Sequence, residues 1–227
     1  MRGNSRAIAA LSALVIFALM TAVSDAGVVN LGSGWQASWD ASLDGLVNVE
    51  TVSAGSDALV IRKSAEFTQA PVNGIFPTIP IVFQQVAWPA AAHIVIDSET
   101  VKNSTGVVWT DFHLDLLDHG DAVFDPALTA ASAGPLPIGW NIAPFTQAAF
   151  NATRTRLDLS GGVVANGQFW LPGGAPNGGQ LWTDVVPSQT NFTLFTLKET
   201  PTPEPAAMSL LLLGGVCLLA RKVRQRG

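Results

Sequence analysis

Cysteine is almost absent from this 227-residue chain, and a lone Cys217 excludes a disulfide-stapled scaffold. Charge is scarce as well. Only 13% of residues are charged, against roughly a quarter in ordinary soluble domains. With 48% hydrophobic residues, the chain is far from the composition that leaves a segment disordered. Cations are rarest in the middle, where six basic residues face fifteen acidic ones between Gly27 and Pro203. Such a surface repels phosphate backbones, which excludes nucleic acid as a partner. No Gly-x-Ser-x-Gly elbow, Walker loop or His-Glu-x-x-His run occurs, so the common signatures of hydrolases, nucleotide enzymes and zinc proteases are missing. Tyrosine is missing too, yet seven Trp and eleven Phe are present.

What is present is concentrated at the two ends. Residues 1–26 read as a signal peptide. Arg2 and Arg6 form its positive start, Ile8 to Val23 its apolar run, and Ser24 and Ala26 the small residues that place signal-peptidase cleavage between Ala26 and Gly27. Export through the Sec translocon is expected. At the other end, Thr200 to Pro205 is a proline-rich linker, expected to be extended. The apolar run Ala206 to Ala220 follows, about 22 Å long as a helix, short of the ~30 Å hydrocarbon core unless flanking cations snorkel. Arg221, Lys222, Arg224 and Arg226 then form a basic tail, 221–227, which the positive-inside rule leaves in the cytoplasm.

The order of Pro203-Glu204-Pro205, apolar helix 206–220 and Arg-rich end closely resembles the PEP-CTERM sorting signal of exported bacterial proteins. That resemblance covers about the last 25 residues and is specific in its three-part layout. It implies that an exosortase recognises and cuts the tail, that the precursor is held in the inner membrane, and that the host makes exopolysaccharide. The mature protein is then expected at the cell surface or outside the cell. A second, looser resemblance covers about 18 residues around Asn103, Thr105, Gly106, Trp109, Asp111, Phe112 and His113, a pattern associated with the same exported proteins. It supports a surface sandwich domain and assigns no chemistry.

Between the ends lies one domain's length of chain, residues 27–199, in which two-residue alternation and Gly/Pro/Asn punctuation recur. Strands are expected at 46–52, 58–62, 79–86, 93–101, 107–117, 154–159, 180–186 and 191–197, building an all-β antiparallel sandwich or jelly-roll-like domain. The turn Asn103-Ser104-Thr105-Gly106 predicts that the runs on either side form a hairpin. In the second run Phe112, Leu114 and Leu116 are expected to face the core, with Trp109, Asp111, His113 and Asp115 opposite. Gly32-Ser33-Gly34 mimics a dinucleotide fingerprint, but Trp35-Ala37-Trp39 alternates like a strand where that motif needs a helix.

Two constellations in this domain are candidates for binding. Asp111, His113, Asp115, Asp118 and Asp121, with His119 and Asp125 nearby, could supply oxygen ligands to Ca²⁺, although the spacing is not that of an EF-hand loop. The plainer reading is a solvated strand face and an acidic turn. The tryptophans are the other. Trp35, Trp39, Trp140, Trp170 and Trp182 are candidates for stacking on sugar rings, and equally for core pillars that bury large area. Asn103, Asn151 and Asn191 each open an Asn-x-Ser/Thr sequon, read here as turn chemistry. No cofactor is required by any motif. The first functional expectation is therefore a non-enzymatic surface or matrix protein, with a carbohydrate-binding module on exopolysaccharide as the alternative and a secreted hydrolase behind it.

Overall fold

The alternation read along the sequence becomes two β-sheets in the computed structural model, which describes residues 27–73, 75–117, 120–132, 134–174 and 177–202. In chain order the strands are β1 (Gly27–Gly32), β2 (Trp35–Trp39), β3 (Val47–Ala54), β4 (Ala58–Phe67), β5 (Ile79–Gln85), β6 (His93–Asn103) and β7 (Asp111–Leu117). They continue with β8 (Ala122–Phe124), β9 (Gln147–Phe150), β10 (Arg156–Ser160), β11 (Phe169–Trp170), β12 (Leu181–Val185) and β13 (Leu194–Thr202). Among the described residues one short α-helix, α1 (Pro126–Ala131), interrupts them, started by Asp125, whose side chain accepts from the backbone N–H groups of Ala127 and Leu128.

The larger sheet has the order β1-β2-β5-β13-β7-β10-β9, and the smaller has β3-β4-β6-β12-β8 with β11 beside β6. Their apolar faces share one core. Phe67 of β4 meets Phe112 of β7 edge-on at 6.0 Å, and Trp170 of β11 meets Phe112 at 4.6 Å. The all-β expectation is met. The antiparallel expectation needs one correction, because β4 and β6 run parallel along ten residues of register, from Ala58 beside His93 to Phe67 beside Asn103. An intervening strand, β5, lies in the other sheet, so the chain crosses the core and returns in the same direction.

The expected hairpin is also overturned. β6 belongs to the smaller sheet and β7 to the larger. Both strands carry one apolar face, and stacking those faces buries more area than pairing their edges. The turn itself enforces the crossing. Asn103 is fully buried, donates from Nδ2 to the carbonyls of Val107 (2.8 Å) and Val164 (2.9 Å), and accepts from Thr105 N–H and Oγ1. Asn103→Ala should remove four hydrogen bonds at roughly 0.5–1.5 kcal/mol each, so a loss of about 3 kcal/mol is expected as a lower urea midpoint. An unchanged midpoint would remove the turn from any structural role.

Within β7, Phe112, Leu114 and Leu116 face the core as expected. Before Asp111 the alternation slips: Trp109 is buried and Val108 exposed, because Trp109 leaves the sheet to bridge Val164. Gly32-Ser33-Gly34 is the turn of the β1–β2 hairpin, with Ser33 at φ 47° and Gly34 at φ 82°, the two positive angles of a tight hairpin turn. Finally, β13 extends through Thr202, so the first residues of the expected linker are strand. Pro201 is tolerated there because pairing with β5 ends at Glu199, leaving only β7 alongside.

Candidate functional site

The acidic candidates on β7 are engaged with neighbouring strands. His113 lies between Asp158 of β10, Nδ1 to Oδ1 at 2.6 Å, and Thr202 of β13, Nε2 to Oγ1 at 3.0 Å. Asp115 pairs with Arg156 at 3.1 Å and with Lys198 at 3.4 Å, while Asp111 accepts from the Thr110 hydroxyl. Arg156 also donates to Asp158 at 2.6 Å, and these two carboxylates raise its pKa despite the opposing cost of burial. Asp115 and Asp158 are thus paired with Arg156 and Lys198 of β10 and β13, while among the described residues Asp111 meets only the hydroxyl next to it in sequence. Asp121 takes part through its backbone carbonyl, which accepts from Val186, and Asp118 lies outside the described residues. Among the described residues no three His, Cys, Asp or Glu side chains are grouped to hold a metal ion. Thr202, His113 and Asp158 do stand in the order of nucleophile, base and orienting acid. They lie half-buried on the outer face of the larger sheet.

The tryptophans divide sharply. Trp35, Trp39, Trp140 and Trp170 are buried, as is Trp109, so none of them presents a ring face to a sugar. Four donate their indole N–H within the domain: Trp35 to the Ala91 carbonyl at 3.0 Å, Trp39 to Asp44 Oδ1 at 3.2 Å, Trp170 to the Ile142 carbonyl at 3.2 Å and Trp109 to the Thr105 hydroxyl at 3.2 Å. Trp182 is half-buried and meets His93 edge-on at 5.6 Å. Only Trp88 is open, at 50% exposure. Asn151 behaves as turn chemistry, its Oδ1 accepting from the N–H groups of Thr155 and Arg156.

A surface cleft of about 320 Å³ opens beside the end of β4, lined by Asp40, Leu43, Glu66, Gln69 and Pro77 among others. Its Glu66 accepts from the Ser104 hydroxyl at 2.7 Å and pairs with Lys102 at 2.9 Å, and these bonds hold its carboxyl below the usual 4.5.

The unexpected group is inside. Lys63 of β4, Glu99 of β6 and Glu199 of β13 have side chains with no exposure at all. The parallel register sets Lys63 directly beside Glu99, and Glu199 reaches across from the opposite sheet. Lys63 Nζ donates to Glu99 Oε1 and also contacts Glu199 Oε1. Around them stand Ile61, Ala65, Val101, Leu114 and Leu197, all buried. Burial drives the Lys63 amine below its ordinary pKa and Glu99 above its own, in each case toward the neutral form and against the pull of the partner. One amine and two carboxyls thus share a dry space, and the second oxygens, Oε2 of Glu99 and Oε2 of Glu199, have no hydrogen-bond partner among the described residues.

The sorting residues Pro203, Glu204, Pro205, Arg221, Lys222, Arg224 and Arg226, and Ala26 before the cleavage point, lie outside the described residues. Gly27 opens β1, opposite Trp39. Among the described residues no helix is long and apolar enough to cross a membrane. Comparison with protein-family models, with curated proteins and with solved structures gives no match to this chain.

Proposed function

We propose that this chain is an exported, non-catalytic surface or matrix protein whose β-sandwich is delivered by a signal peptide and sorted by an exosortase through its PEP-CTERM tail. One observation carries the reading. Pro203-Glu204-Pro205, the apolar run 206–220 and the four cations Arg221, Lys222, Arg224 and Arg226 follow one another in the order such a signal requires. The prolines keep the cleavage region out of the helix, and the cations hold the tail on the cytoplasmic side, each disfavoured at the bilayer centre by about 2.5–3.5 kcal/mol. The precursor is anchored in the inner membrane, and the mature protein joins the cell surface or the exopolysaccharide matrix.

Glu204→Ala, or neutralisation of the four cations, should leave a full-length precursor in the membrane fraction. Mass spectrometry of the mature chain should find the residues after about Pro205 missing, as expected of a removed address. Mature protein still carrying Arg221 to Gly227, in a host with an active exosortase, would sink the sorting reading.

Attachment to polysaccharide through a tryptophan platform is disfavoured by the burial of Trp35, Trp39, Trp140 and Trp170. Titration of the purified chain with extracted exopolysaccharide should therefore leave tryptophan emission nearly unchanged. A saturable shift in emission would instead favour the carbohydrate-binding alternative, through Trp88 or Trp182.

A further inference from the structure

We propose that Lys63 and Glu199 are joined by an intramolecular isopeptide bond, formed in the folded core with Glu99 as the proton carrier. The three side chains are wholly buried and in contact, and they come from three strands of two sheets. An amine attacks a carboxyl only when the amine is unprotonated and the acid is protonated. A dry core favours that pair of states, because it penalises ammonium and carboxylate alike.

The two glutamates are not equivalent. Lys63 Nζ donates to Glu99 Oε1, which suits a proton acceptor, and Nζ also lies against Glu199 Oε1, which sets it beside the carboxyl it attacks. Moving the lysine proton to Glu199 gives an amine, an acid and one carboxylate, with the total charge of the cluster unchanged. Nζ then forms a bond to Cδ of Glu199 while Glu99 takes a proton from the nitrogen. Glu99 returns that proton to the departing hydroxyl, the C–O bond breaks, and one water molecule leaves. The product is a secondary amide between β4 and β13, with Glu99 restored and placed to accept from the new N–H.

Condensation of this kind is unfavourable between separate groups in water. Here the fold holds the reactants together, which is worth an effective concentration of roughly 10⁵–10⁸ M for well-oriented groups. Dry, apolar walls also remove the solvent that would reverse the step. Ile61 and Ala65 flank Lys63 on its strand, and Ile79 and Leu114 are the register partners of Glu199.

The test is the mass of the full chain after denaturation, followed by tryptic mapping. The linked protein is lighter than its sequence by one water molecule. Trypsin should fail to cut after Lys63, and the peptide 63–102 should be recovered joined to the peptide that begins at Glu199. Glu99→Gln, which keeps the shape but cannot carry the proton, should lose the link and restore the full mass. A wild-type chain of full mass, cut normally after Lys63, overturns the proposal. Water loss confined to peptide 63–102 would place the bond on Glu99 and overturn the assignment to Glu199. An undiminished link in Glu99→Gln would remove Glu99 from the reaction. The wild-type measurement needs no variant to fold.

Discussion

Replacing Lys63 by methionine should be among the most damaging single changes in the domain, and its effect should depend on pH in a defined direction. The substitution removes the amine, and with it any link to Glu199, and leaves Glu99 and Glu199 side by side in the core as two free acids. Removing one partner of a buried charged group costs about 3–5 kcal/mol. Domains of this size have about 5–15 kcal/mol in total, so a large share of the stability is at stake. Lys63 is what opposes burial in setting the Glu99 pKa, and without it that carboxyl rises further above 4.5. A carboxyl with a raised folded pKa supports folding fully below its unfolded value, and the support is lost as pH rises through the window above it. The variant should therefore melt highest in acid, below pH 4.5, and fall progressively toward neutrality. Thermal melts across that range check the sign. A variant as stable as the parent at neutral pH would contradict the burial of the two acids.

The second large effect is expected at Trp170. This residue lies on a strand of only two residues, yet it is fully buried and touches Phe112 at 4.6 Å, Phe145 at 5.3 Å and Trp140 at 6.4 Å. Trp170→Ala removes the ring around which those three pack and one of the two donors to the Ile142 carbonyl, the other being the Phe145 N–H. The expected loss is about 3–5 kcal/mol, as for other large-to-small core changes involving aromatics. Trp88→Ala is the matched control, because Trp88 is half exposed and surface changes stay within about 0.5 kcal/mol. Denaturant midpoints for the two variants should differ widely. Equal midpoints would mean that Trp170 is not a pillar of the core.

Local alternation made most strands legible. Runs such as 79–86 and 180–186 correspond to β5 and β12, because each buries one face and exposes the other. Pairing was not legible, since it depends on which strands meet across the core and not on the turn between neighbours. Asn103 shows why. Its turn chemistry was readable, but its hydrogen bond to Val164, sixty-one residues away, decides where the chain goes next. Similarly, a Trp near Gly or Pro can cap a loop or fill a core, and here Trp140 and Trp170 fill it. The buried charges did leave a trace. Leu59, Ile61, Lys63, Ala65 and Phe67 occupy one face of β4, so a lysine sits in the apolar parity of the strand. Phe195, Leu197 and Glu199 show the same break on β13. A charge at a core parity is a signal for a buried partner, but only the three-dimensional register identifies Glu99 as that partner.

The position of β13 has a consequence for the order of assembly. This strand is the last described in the chain, yet it is the middle of its sheet, hydrogen-bonded to β5 on one side and β7 on the other. Until it arrives, β1, β2 and β5 form one fragment and β7, β10 and β9 another, each with an open inner edge. A chain emerging from its amino end thus cannot close the larger sheet until residue 202 is free to pair. Folding must wait for contacts distant in sequence, which is the slow regime for β proteins. Under the proposed export such a delay would serve translocation, because the larger sheet locks only when the strand ending at Thr202 slots into place.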